Sequence, residues 1–331
     1  MLITGGEDSG GPDDGITASA EIYDPSTGKF STTGSMHSAR VDHAAALLPD
    51  GRVLIVGGLG CAKPKSCMSL EATNLASAEI YDPGTGKFNL ASPMLGWVDP
   101  AYAITLNDRR VLVFGSNSNL DHAQLYDPSS GKFEPTGATA VTGNITLTLL
   151  ADGKVFMTGL DTGHDGVARL FDPGSGEVTT VPFTTPAKAN SSLDYQANSD
   201  GVSAAALLRD GRVLLYGGGY LETYDPTTGA FAPAGQMLGP GQWWPVATLL
   251  ADGDVLFEGG ELYPNPPDST QEVPTSFAIY DPASGVHLVS TTFGLPAEQT
   301  ATLLGDGSVL VAGFGYDGTG NAVPNAALYK P

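Results

Sequence analysis

The chain has 331 residues, among them 44 Gly and 24 Pro, and sets 36 acidic against 15 basic side chains for a formal net charge of -21. A field so negative repels a phosphate backbone and excludes nucleic acid as a partner, while keeping a Gly-rich protein soluble. No stretch approaches the roughly 18 consecutive apolar residues of a membrane-spanning helix, and none keeps a helical period over any length.

The chain opens on Met1-Leu2-Ile3-Thr4-Gly5-Gly6, an apolar run closed by glycines. The run returns as VLIVGG (Val53–Gly58), VLVFGS, VFMTGL, VLLYGG, VLFEGG and VLVAGF. Tyr23-Asp24-Pro25 likewise returns at Tyr81, Tyr126, Phe171, Tyr224 and Tyr280, and degenerates to Tyr329-Lys330-Pro331. The stretch His43 to Phe88 displays a whole unit. The apolar runs Ala44–Leu48 and Val53–Val56 flank Pro49-Asp50-Gly51-Arg52, a hairpin signal because the tight turn needs a positive φ that Gly adopts freely. Ala78–Tyr81 then alternates, meets the turn Asp82-Pro83-Gly84-Thr85-Gly86, and leads to a fourth strand at Lys87-Phe88. Each unit is a four-stranded antiparallel meander, and self-similarity at this period predicts a repeat architecture.

The Gly-Gly closing the second strand and the aromatic of the third resemble the kelch repeat over nearly the whole chain. The resemblance implies an all-β protein, a seven-bladed β-propeller forming one domain. Its blades fall at about 1–40, 41–98, 99–142, 143–200, 201–242, 243–296 and 297–331. The first blade begins at its second strand and the last stops after its third. Both are therefore incomplete, and the chain reads as a fragment of a longer, exported protein. The resemblance also implies that Arg40 braces neighbouring blades. The Trp243-Trp244-Pro245 segment and the leucine-rich hairpins look like the propeller of galactose and glyoxal oxidases, copper radical enzymes. Those need a Tyr crosslinked to Cys, a second Tyr and two His ligands, one in a Tyr-His dipeptide. This sequence has no Tyr-His dipeptide, so the copper chemistry does not carry over.

The turns after strands one and three are uniformly short, and leave one end of each blade without distinction. Connections at the opposite end vary, as binding loops on a rigid scaffold do. In chain order, Glu7–Asp14 reads as a solvated acidic turn, with a structural Ca²⁺ site as the alternative. His37, Arg40, Asp42 and His43 come next as ligand-facing or bracing groups. Cys61 and Cys67, with five residues between them, are expected to form a disulfide; free thiols are the alternative. Trp97 and Asp99 follow. Asp161, His164 and Asp165 are the most compact set of potential metal ligands, read first as polar loop residues. The long connection from Thr179 to Gly201 reads as a lid. Trp243, Trp244 and Tyr263 offer aromatic faces suited to sugars or apolar side chains, and Tyr316 adds another from the last blade.

These features describe a monomeric, extracytoplasmic binding module without a cofactor, presenting variable loops to a protein or glycan. The alternative is a carbohydrate-active lyase or hydrolase in which Glu261 and Glu298 act as acid and base, which requires them roughly 5 to 10 Å apart. No nucleophile elbow or phosphate loop favours the enzyme.

Overall fold

The computed structural model describes the chain except residues 9–14, 62–66, 68–70, 119–121, 139–140, 161–165, 183–201, 218–219, 237–241, 244, 259–260, 263–276, 291–299 and 317–321. The described residues are all-β. Five antiparallel sheets have four strands, and three-stranded sheets stand first and last. Successive meanders of this kind are the blades of a β-propeller.

The second sheet shows how residues dictate the pattern. Ala44–Leu47 pairs with Val53–Val56, which pairs with Ala78–Asp82, which pairs with Lys87–Leu90. Ala44 and Ala46 are buried while Ala45 and Leu47 are exposed, the alternation of a strand with one covered face. The second strand is different. Leu54, Ile55 and Val56 are wholly buried, and Val213–Tyr216 and Val255–Glu258 are buried along their whole length. A strand covered on both faces reads as an unbroken apolar run, and each such Val or Leu contributes roughly 1.5–3 kcal/mol of burial. On the outer side, the Tyr of the third strand meets a Phe of the fourth. Ring centroids lie 4.9 Å apart in Tyr23–Phe30, Tyr81–Phe88 and Tyr126–Phe133, and 5.0 Å in Tyr224–Phe231.

The short turns are chemically closed. Gly51 N–H donates to Leu48 O at 2.9 Å, and Asp50 Oδ1 accepts from Arg52 N at 3.1 Å. Asn107-Asp108-Arg109-Arg110, which departs from the Asp-Gly pattern, makes the same turn. Arg109 takes φ 75° where Gly51 has 86°, and its N–H donates to Leu106 O at 3.0 Å.

The chain divides into two compact units. The first is Met1–Gly143 with Gly153–Val155 and Phe171–Thr179; the second is Asn144–Asp152, Phe156–Leu170 and Thr180–Pro331. Ala44, Leu54, Val56, Val98, Val111 and Tyr126 belong to one core of the first unit. Ala204, Leu214, Tyr216, Phe257 and Tyr280 belong to one core of the second.

Candidate functional site

The irregular end of the sheets carries structure that the repeat does not require. Glu7–Asp8 pairs with Gly15–Ile16, and Leu59–Cys61 pairs with both Ala39–Val41 and Thr73–Asn74. In the second unit Gln242–Trp243 pairs with Glu261–Leu262. Each small ladder is built from connections between the second and third strands of a blade or between blades. The Cys61–Cys67 disulfide, with Cα atoms 5.5 Å apart, ties the middle one, and Ile16 bridges to Cys67. Gly58 makes the close approach feasible: at φ 85°, a Cβ there would lie 2.2 Å from Val41 O.

Beneath this ladder is a buried ion pair. Arg40 and Glu79 are each 0% exposed, with Arg40 Nη2 donating to Glu79 Oε1 at 2.9 Å. The guanidinium also donates to Gly57 O at 2.9 Å and Ser77 Oγ at 3.1 Å. Glu79 accepts from the backbone N–H groups of His37 and Ser38 at 2.7 and 3.0 Å, and His37 Nδ1 lies 3.0 Å from its Oε2. Burial pulls the Arg40 pKa down from its ordinary value, and the Glu79 charge opposes that. Gln124, two residues before Tyr126 as Glu79 is before Tyr81, holds the next connection in the same manner. Its Oε1 accepts from Leu95 N at 2.7 Å.

Beside the brace, Asp42 stands exposed with φ 55°. Its carboxyl is pushed up by desolvation, then by the charges of Asp99 and Glu7. Desolvation also raises Asp99, whose Oδ1 is buried without a hydrogen bond. His43 Nε2 lies 2.9 Å from Thr4 Oγ1. Burial, reinforced by Arg40, lowers its pKa to about 4, so the ring is neutral at neutral pH. Trp97 is half-buried two residues before Asp99.

The second unit contributes a carboxyl that the sequence reading passed over. Glu258 is 0% exposed; Thr248 Oγ1 donates to its Oε1 at 3.1 Å, and Oε2 has no partner. Burial raises its pKa to about 8. The signal was present in the repeat: Glu258 occupies the position of Thr4, Val56, Phe114, Thr158, Tyr216 and Ala312, and is the charged member of that series.

Of the residues singled out from the sequence, the structure brings His37 and Arg40 together, and as a brace. This corrects the ligand-facing reading of Arg40, because the guanidinium is wholly buried, with both Nη groups donating to Glu79, Gly57 and Ser77 and its Nε without a partner, and does not meet a ligand. Trp97 lies at the irregular end in the first unit. Glu261, Trp243 and Tyr316 lie in strands, with side chains outside the described residues. Trp244, Tyr263, Glu298, Asp161, His164 and Asp165 lie outside the described residues altogether.

Comparison with known proteins adds the fold. No family model matches the chain, and no curated protein does. Among solved structures it is similar to a fungal alcohol oxidase of the AA5 family, determined in complex with copper. The TM-score is 0.71 at 16% identity, over 100% of this chain and 71% of that one. The likeness is one of fold. The donor set for copper radical chemistry does not fit here: both cysteines are joined to each other, leaving no thiol free for a crosslink to Tyr. Among the described residues no group of three or more His, Cys, Asp or Glu is arranged to hold a metal ion.

Proposed function

We propose that the chain is a kelch-type, seven-bladed binding module of an extracytoplasmic protein, and that the irregular end of the sheets in its first unit is a binding surface for a hydroxyl-rich glycan. The observation that carries this reading is the placement of extra order. Two ladders and the disulfide are added to the connections at that end of the first unit. The opposite turns repeat one closed geometry from sheet to sheet. Ordering loops in advance reduces the entropy lost when a ligand binds, which is a reason to brace a surface that the fold itself does not need. The first unit offers chemistry suited to sugars: the acceptor carboxylates of Glu7 and Asp42, and the indole of Trp97 as a flat apolar face.

A glycan array followed by calorimetry tests the proposal. Trp97→Ala and Asp42→Asn are expected to weaken binding of the selected glycan by about tenfold or more, while Thr85→Ala on the opposite turns leaves it unchanged. Failure of every glycan to bind, or equal loss in all three variants, refutes the reading. Turnover of the glycan in place of stable binding redirects it to an enzyme.

A further inference from the structure

We propose that Asp252 is a site of spontaneous backbone modification: its closed Asp-Gly turn isomerises to isoaspartate, while sister turns of the same shape are held against that change. The idea stands apart from the binding reading, since it concerns the regular turns and not the irregular end.

Isomerisation needs the nitrogen of the following residue to reach the carboxyl carbon, and glycine, without a Cβ, obstructs that approach least. The turns at Asp50-Gly51, Asp210-Gly211, Asp252-Gly253 and Asp306-Gly307 share the starting geometry. In each, Oδ1 of the aspartate accepts from the N–H two residues on, at 3.1, 3.0, 3.1 and 3.1 Å respectively. That bond folds the carboxyl across the glycine amide. The step that follows balances without a co-reactant. The glycine nitrogen gives up its proton and bonds to Cγ of the protonated carboxyl, the Cγ–OH bond breaks, and water leaves a five-membered succinimide. Water then adds back, and opening at the main-chain carbonyl leaves the backbone running through Cγ.

What separates the turns is the hold on the carboxyl and on the nitrogen. Arg52 grips Asp50 Oδ2 through Nε at 2.8 Å and Nη2 at 2.7 Å, and Arg212 grips Asp210 Oδ2 through the same atoms at 2.8 and 2.6 Å. Both ion pairs favour the carboxylate, which has no hydroxyl to lose. Ser308 Oγ donates to Asp306 Oδ1 at 2.6 Å. At the corresponding place after Asp252 stands Asp254, a like charge that gives no such hold. The Arg209 side chain does lie over this turn, where a Cβ on Gly253 would meet its Cδ at 3.3 Å. Its Nη2, however, donates to Ala251 O and not to the Asp252 carboxylate. The attacking nitrogen is also the most loosely held of the four. Gly253 N–H reaches Leu250 O at 3.2 Å, against 2.9 Å for the bond of Gly51 and 3.0 Å for those of Gly211 and Gly307. Gly253 takes φ 109° where those three take 86°, 88° and 86°.

Ageing of the folded whole chain at neutral pH tests the assignment. Isoaspartate is read at each turn by labelling with an isoaspartyl carboxyl methyltransferase, and by resistance to an endoprotease that cuts before aspartate. It is expected to accumulate at Asp252 about fivefold faster than at Asp50 or Asp210, the weight of a well-formed exposed ion pair. Asp254→Arg slows Asp252 to the pace of Asp210. Arg212→Gln brings Asp210 up to the pace of Asp252, and it decides the matter if the arginine variant does not fold. In concentrated urea, where the turns are lost, the three sites converge. Equal rates in the folded chain, an unmoved rate in Asp254→Arg or in Arg212→Gln, or a ranking that survives in urea overturns the proposal.

Discussion

Replacing Glu79 by alanine removes one half of a pair in which both side chains are 0% exposed. Breaking such a pair from one side is destabilising by about 3–5 kcal/mol, because the surviving charge stays buried. The structure places this variant at the upper end. Glu79 also accepts the N–H groups of His37 and Ser38, so its loss strands two backbone donors as well as the Arg40 guanidinium. Arg40→Met is milder, since those backbone N–H groups go on supporting the carboxylate. Glu79→Gln falls between: Gln124 shows that an amide at this position holds the incoming connection, but an amide does not neutralise Arg40. Urea unfolding of the single variants and the double variant Arg40→Met/Glu79→Ala, read as a cycle, is expected to give a coupling of about 2 kcal/mol or more. A loss below about 1 kcal/mol for Glu79→Ala, the ordinary value of an exposed pair, or additivity in the cycle, refutes the brace.

Glu258 makes stability depend on pH in a predictable direction. Its folded-state pKa, about 8, lies above the ordinary value of 4.5. The stability it allows is therefore complete below 4.5 and declines as pH rises towards 8, by about 1.4 kcal/mol per unit. Urea midpoints of wild type and Glu258→Gln should converge in acid and separate in favour of the variant at neutral pH; parallel curves refute the assignment. Reduction of the Cys61–Cys67 disulfide, or Cys61→Ser/Cys67→Ser, is expected to destabilise by about 2 kcal/mol on the entropy of so short a loop, measured as a fall in Tm; an unchanged Tm contradicts it. Gly58→Ala forces a Cβ to within 2.2 Å of Val41 O at a φ of 85°. It should cost more than the roughly 1 kcal/mol of ordinary Gly-to-Ala strain; a fully folded variant with wild-type urea midpoint shows that the Ala39–Val41 strand is free to yield.

Much of the architecture was legible because its causes are local. A closed turn such as Leu48–Arg52 involves five consecutive residues, and alternation along Ala44–Leu47 declares its covered face without reference to anything distant. Even Arg109, which breaks the glycine rule, sits in a turn specified by the Asp108 side chain, whose Oδ1 accepts from Arg110 N at 3.0 Å. The bracing function of Arg40 was readable from the kelch resemblance, whereas its partner was not. Glu79 lies 39 residues away, and nothing in the alternating run Ala78-Glu79-Ile80-Tyr81 says that its outward-reading carboxylate is covered by the connection from the blade before.

What the sequence determined by itself was the repeated meander, its turns and the end of each sheet at which variation collects, since strand period and turn chemistry act over a few residues. The tertiary structure decided which of the polar groups at that end are exposed, which are locked away, and that Glu79 is buried with a cationic partner while Glu258 is buried with one oxygen unbonded. Whether a charge is solvated, paired or orphaned depends on what the rest of the chain packs around it, and the energy of a charge is set by that surrounding medium rather than by its neighbours in sequence.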